Sequence, residues 1–73
     1  MARPMPFAPQ LDQLLEMAVA ENTCAPNGRN PHGILWRRIN ARVLNGDYGE
    51  ELRARVSSPA SKVLAKRWYL LHH

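Results

Sequence analysis

The chain has 73 residues, a formal net charge of +4 and a single cysteine, Cys24. A domain of this length has a marginal core, one cysteine excludes an internal disulfide, and no Cys/His cluster has zinc-ligand spacing. No apolar run has the length of a membrane span and no secretory signal pattern is present, so the expectation is a cytoplasmic protein with no membrane partner.

Residues 1–9, MARPMPFAP, carry three prolines and no helical or strand period. Proline removes backbone donors and biases its predecessor to extended geometry, so this stretch reads as a flexible arm. Arg3, Met5 and Phe7 are its candidate anchors for a partner. A single helical domain is expected over residues 10–73.

The first helix starts at Pro9 or Gln10 and runs to about Glu21. Leu11, Leu14, Leu15 and Ala18 share one face at 3.6 residues per turn, with Asp12, Gln13 and Glu16 opposite. Asn22 to Arg29 reads as a connector broken by Pro26 and Asn27-Gly28. Next comes the stretch that organises the chain, Asn30 to Asp47. Asn30 is read as an N-cap with Pro31 at the first helical position. Leu35, Trp36, Ile39 and Val43 form its apolar face, Arg37, Arg38 and Ala41 lie opposite with Arg42 at the margin, and Asn45-Gly46 closes the helix.

Asp47 is then expected to cap a helix running to Val56, with Glu50 and Glu51 in the first turn and Tyr48, Leu52 and Val56 as a narrow apolar stripe. Arg53 has Glu50 three residues back and Arg55 has Glu51 four residues back, which makes intrahelical pairs the simplest role for both. Ser58-Pro59 reads as the cap and first residue of a last helix reaching towards His73. On it, Val63 and Leu70 form one apolar patch, and Leu64, Trp68 and Leu71 another, with Arg67 between. One of the patches is therefore expected to face a partner. Lys62, Lys66 and Tyr69 line the far side. The fold class that follows is all-α, three to four helices in a helix-turn-helix-like arrangement with an extended N-terminal arm.

Catalytic chemistry is hard to assemble from these residues. His32 falls in a helix first turn, His72 and His73 close the chain, and Cys24 has too few companions for a metal or nucleophilic site. Glu50 and Glu51 are adjacent and point apart. The expectation is a non-enzyme with no cofactor and no metal. Charge points to binding instead. Residues 1–28 sum to −2 and residues 29–73 to +6, and eight of the ten bases are arginine. Arginine suits planar, bidentate contacts with phosphate and carboxylate. Arg37, Arg38 and Arg42 are the candidate partner-binding bases beside the arm residues, and Lys62, Lys66 and Arg67 are candidates for nucleic acid.

Two classes of function fit this pattern. One is a helix-turn-helix DNA-binding repressor, whose arginines and lysines grip phosphates while one helix reads a groove. The other is a regulator that docks on a protein. The whole chain, from its opening MARPMPFAPQ through its length of 73, resembles the small transcription regulator of a lytic Xanthomonas phage. That resemblance implies a protein that binds host RNA polymerase near the N-terminus of the β′ subunit. It further implies inhibition of initiation by displacement of σ, and antitermination during elongation. It assigns no binding residues.

Overall fold

The computed structural model describes residues 7–72 and contains four helices: α1 (Pro9–Glu21), α2 (Trp36–Leu44), α3 (Glu50–Arg53) and α4 (Val63–Leu71). Arg3 and Met5 lie outside the described residues.

Helix α1 forms where its period places it. Leu11, Leu15, Ala18 and Val19 are buried, and Leu14 packs against them from the edge. Ile39 and Val43 of α2, Leu52 of α3 and Leu64 of α4 complete the centre, each fully buried. At about 1.5–3 kcal/mol per large side chain, these contacts are what hold so small a chain together against conformational entropy. Phe7 and Ala8 also pack on this core. Part of the expected arm is thus domain: the Phe7 ring lies beneath the guanidinium groups of Arg55 and Arg67, at 4.9 and 5.5 Å.

The central helix is shorter than its sequence promises. Asn30 caps nothing; its Nδ2 donates to the Ile34 carbonyl at 2.8 Å. Residues 22–35 instead fold as a small hairpin around an isolated antiparallel bridge between Thr23 and Ile34. Cys24 N–H donates to Gly33 O at 2.7 Å and Leu35 N–H to Asn22 O at 3.0 Å. At the tip, Asn27 and Asn30 exchange backbone hydrogen bonds, and Asn27 Oδ1 accepts from the Arg29 and Asn30 amides. Gly33 makes this possible. Its φ is +70°, and a Cβ there would run into the Cys24 carbonyl. A left-handed residue also interrupts any helix begun at Pro31, so α2 starts only after Leu35.

The far end of α2 behaves as read. Gly46 has φ +93°, its N–H reaches Val43 O at 3.0 Å, and Asp47 N–H reaches Arg42 O at 3.1 Å. This pairing satisfies the last carbonyls of the helix. Asp47 then departs from expectation. Its carboxylate accepts from Arg42 Nε at 3.2 Å and Asn45 Nδ2 at 2.9 Å, and it caps no helix. With Tyr48 drawn into the core, α3 is reduced to Glu50–Arg53. The last helix also begins later than Ser58-Pro59. Asn40, 1% exposed, sends its Nδ2 to the carbonyls of Pro59 (3.2 Å) and Ser61 (2.6 Å), which holds residues 59–61 in a turn.

Candidate functional site

Sorting the charged groups by partner divides the surface in two. On one side, Arg67 clasps Asp12 through two parallel bonds, Nε to Oδ1 at 2.9 Å and Nη2 to Oδ2 at 2.8 Å. Hydrogen bonding by this guanidinium is the main cause holding the Asp12 carboxyl below its usual 3.8 and the Arg67 pKa above its own. Arg42 reaches Asp47, Asn22 Oδ1 at 3.3 Å and Glu21 at 3.7 Å, and lies over the Tyr48 ring. The Tyr48 hydroxyl accepts from Asn22 Nδ2 and donates to Glu21. Arg53 pairs with Glu50 at 3.2 Å, as its spacing predicts, and also donates to Leu44 O. His72 lies 3.0 Å from Glu16.

Around the start of α2 and the start of α4, the groove linings hold cations and no carboxylates. Arg37, Arg38, Lys62 and Lys66 are exposed and have no ion-pair partner among the described residues. They border two shallow grooves. One, of about 560 Å³, lies between α2 and the start of α4, and its walls include Trp36, Arg37, Asn40, Lys62, Lys66 and Tyr69. The second, of about 640 Å³, lies on the hairpin side of α2, where Leu35, Trp36, Arg37 and Arg38 meet Asn30 and Ile34. Neither is lined by an acidic residue. Aromatic rings sit among the cations: Tyr69 is 6.3 Å from Trp36 edge-on and 5.7 Å from His32.

The candidate residues therefore separate. Arg37 and Arg38 occupy the bare face, joined there by Lys62 and Lys66 of the nucleic-acid candidates. Arg42 and Arg67 do not belong with them, because each is held by carboxylates of its own chain. Phe7 is packed and stacked by arginines. Of the two apolar patches on α4, Leu64 is buried and Trp68 packs on the core, whereas Val63 and Leu70 stay 41% and 71% exposed. Leu71 parts from its patch at 40% exposed. The groove's aromatic element is what the helical period hid. Trp36 reads as a core residue yet stands at the rim of both grooves. Tyr69, placed beside Lys62 and Lys66 by its spacing, gains meaning only from the rings of α2 and the hairpin across from it.

Among the described residues, no group of three or more His, Cys, Asp or Glu side chains converges as a metal site would require, and Cys24 is a free, exposed thiol. No described helix is long and apolar enough to cross a membrane. Comparison with protein-family models, with curated proteins and with solved structures finds no match to this chain.

Proposed function

We propose that this chain is a non-enzymatic transcription regulator that acts in the host cytoplasm by binding bacterial RNA polymerase. The observation that carries the binding role is the exposed pair Arg37 and Arg38, flanked by Leu35 and Trp36 on a groove without carboxylates. Unpaired arginines beside partly exposed apolar side chains match the composition of protein-docking surfaces, with cations available for an acidic partner. Polymerase as that partner comes from the resemblance to the small phage transcription regulator. On this reading the chain contacts the N-terminal region of β′, inhibits initiation by displacing σ and acts as an antiterminator.

The competing reading is a helix-turn-helix DNA-binding repressor. Lys62 and Lys66, exposed at the start of α4, favour a phosphate contact. The helix after the tight turn does not serve it, since α3 has four residues and begins with Glu50 and Glu51. Binding of purified, nuclease-treated bacterial RNA polymerase to the immobilised chain separates the two. Retained binding is expected, weakened about tenfold or more when Arg37 and Arg38 are both changed to Glu, with the helical circular dichroism unchanged. Binding that disappears with the nucleic acid would overturn the polymerase reading and favour an operator.

A further inference from the structure

The groove between α2 and the start of α4 shares Trp36 and Arg37 with the proposed docking surface and adds Tyr69, Lys62 and Lys66 to them. Its cations, Arg37 from one wall and Lys62 and Lys66 from the other, surround aromatic surface contributed by Trp36 and Tyr69. Its volume of about 560 Å³ lies within the range of sites that hold a small-molecule-sized group. Tyr69 is 43% exposed, so part of its ring is open to solvent.

We propose that this groove binds single-stranded nucleic acid, with one unpaired base on the Tyr69–Trp36 rings and the adjacent phosphates on Arg37, Lys62 and Lys66. An acidic peptide would answer the cations and leave the rings without a matching group. A nucleotide answers both, because base and phosphate are joined in one unit. A duplex cannot enter in this way, since its bases are stacked and turned inward. The polar atoms around the groove also bear on how a base is held. Trp36 Nε1 and Asn40 Oδ1 lack partners among the described residues, yet both are sealed from the surface, and Asn40 Nδ2 is already engaged by Pro59 and Ser61. With these two atoms out of reach of a base edge, stacking and phosphate contact carry the binding. This inference does not depend on the polymerase reading.

The test uses the full chain with no polymerase present. Labelled RNA and DNA single strands of about ten nucleotides, and the matching DNA duplex, are titrated by fluorescence anisotropy over a range of salt. The expected result is that at least one single strand binds, with quenching of tryptophan fluorescence, and that the duplex binds roughly tenfold more weakly or worse. Tyr69→Ala should weaken single-strand binding about tenfold, as loss of one stacking platform does. Arg53→Gln, on α3 and outside the groove lining, should leave it unchanged. If Tyr69→Ala loses helical signal, the exposed pair Lys62→Glu and Lys66→Glu replaces it. That pair should reduce affinity and flatten the slope of log affinity against log salt by about 0.7 per lysine. Absence of single-strand binding, equal affinity for duplex, or full affinity in a folded Tyr69→Ala variant each overturns the proposal. So does competition by a glutamate-rich peptide as strong as that of unlabelled single strand.

Discussion

The two sides of this molecule handle the same kind of residue in opposite ways. On the side formed by α1, the C-terminal end of α2 and the later turns of α4, every arginine described in an ion pair is matched to a carboxylate, sometimes across long stretches of chain. Asp12 and Arg67 are 55 positions apart, and their side chains are only about a quarter exposed. On the side formed by the N-terminal half of α2 and the start of α4, Arg37, Arg38, Lys62 and Lys66 are exposed and have no ion-pair partner among the described residues. Net charge alone does not carry this difference. The chain is +4, and the fold ties five of its six acids to Arg42, Arg53, Arg67 and His72, which leaves Arg37, Arg38, Lys62 and Lys66 without an ion-pair partner among the described residues. A charge that already has a partner adds little to encounter with another molecule, whereas an uncompensated cluster projects a field beyond the surface. The bare side is therefore the one to associate with binding, and the matched side with holding the fold.

The hairpin of residues 22–35 joins the two sides, and its failure should have the largest effect. Gly33→Ala places a Cβ against the Cys24 carbonyl and forces alanine into left-handed backbone, a conformation that alone costs about 1–3 kcal/mol. The expected outcome is a lower urea midpoint together with weaker partner binding, because the start of α2 loses the ladder that anchors it. A variant of wild-type stability would mean that the hairpin relaxes without consequence and that α2 is positioned by its core contacts alone.

This same hairpin marks the boundary of what the sequence discloses. Helix α1, the ending of α2 at Gly46 and the Glu50–Arg53 pair all follow from local rules, and all are read correctly because their causes lie within a few residues. The start of α2 is misread for a non-local reason. Asn30-Pro31 is a sound local cap, but the backbone of residues 33–35 bonds to residues 22–24, and a bridge to a preceding loop leaves no periodic trace. Pro59 fails in the same manner, its carbonyl taken by Asn40, whereas Asp47 is diverted locally, by Arg42 and Asn45 five and two residues before it. For the site, exposure of Arg37 and Arg38 opposite an apolar stripe is legible from helical spacing. The withdrawal of Arg42 and Arg67 is not, because their partners come from other elements. The grouping of Tyr69 with Lys62 and Lys66 is visible on one helix, but the groove they form requires α2.

A matched pair of charge reversals sharpens the contrast at intermediate size. Arg38→Glu lies on the bare side, where a surface substitution changes stability by no more than about 0.5 kcal/mol. It should lower affinity for the proposed polymerase partner severalfold at low salt and less at high salt. Arg42→Glu places a third carboxylate beside Glu21 and Asp47 and removes the donor to Asn22. It should lower the melting temperature by roughly several degrees while the folded fraction binds the partner normally. Thermal melts and binding isotherms on both variants check this. The assignment of sides fails if Arg42→Glu abolishes binding at full stability, or if Arg38→Glu destabilises the fold and spares binding.

The smallest effect concerns pH and belongs to the matched side alone. Asp12 is held below its ordinary 3.8, first by hydrogen bonding from Arg67 and also by that cation's charge, against the opposing effect of burial. A carboxyl whose folded pKa lies below its unfolded value binds more protons when unfolded, so stability rises with pH across the interval between the two. The contribution is fully present above the unfolded value near 3.8 and is lost as pH falls through the lower folded value. Asp47, lowered by hydrogen bonds from Asn45 and then Arg42, acts with the same sign. Asp12→Asn should therefore melt a few degrees lower than the parent at neutral pH, and the two melting curves should converge in acid below the folded value of Asp12. Its acid limb should be shallower than that of the parent but still present, since Asp47 remains. Curves that stay parallel through the acid range would show that the Arg67 contact persists without the carboxylate charge, so that Arg67 is held by its contact with Phe7. In that case α4 would be fastened to α1 by packing, and the matched side would owe its order to the core beneath it.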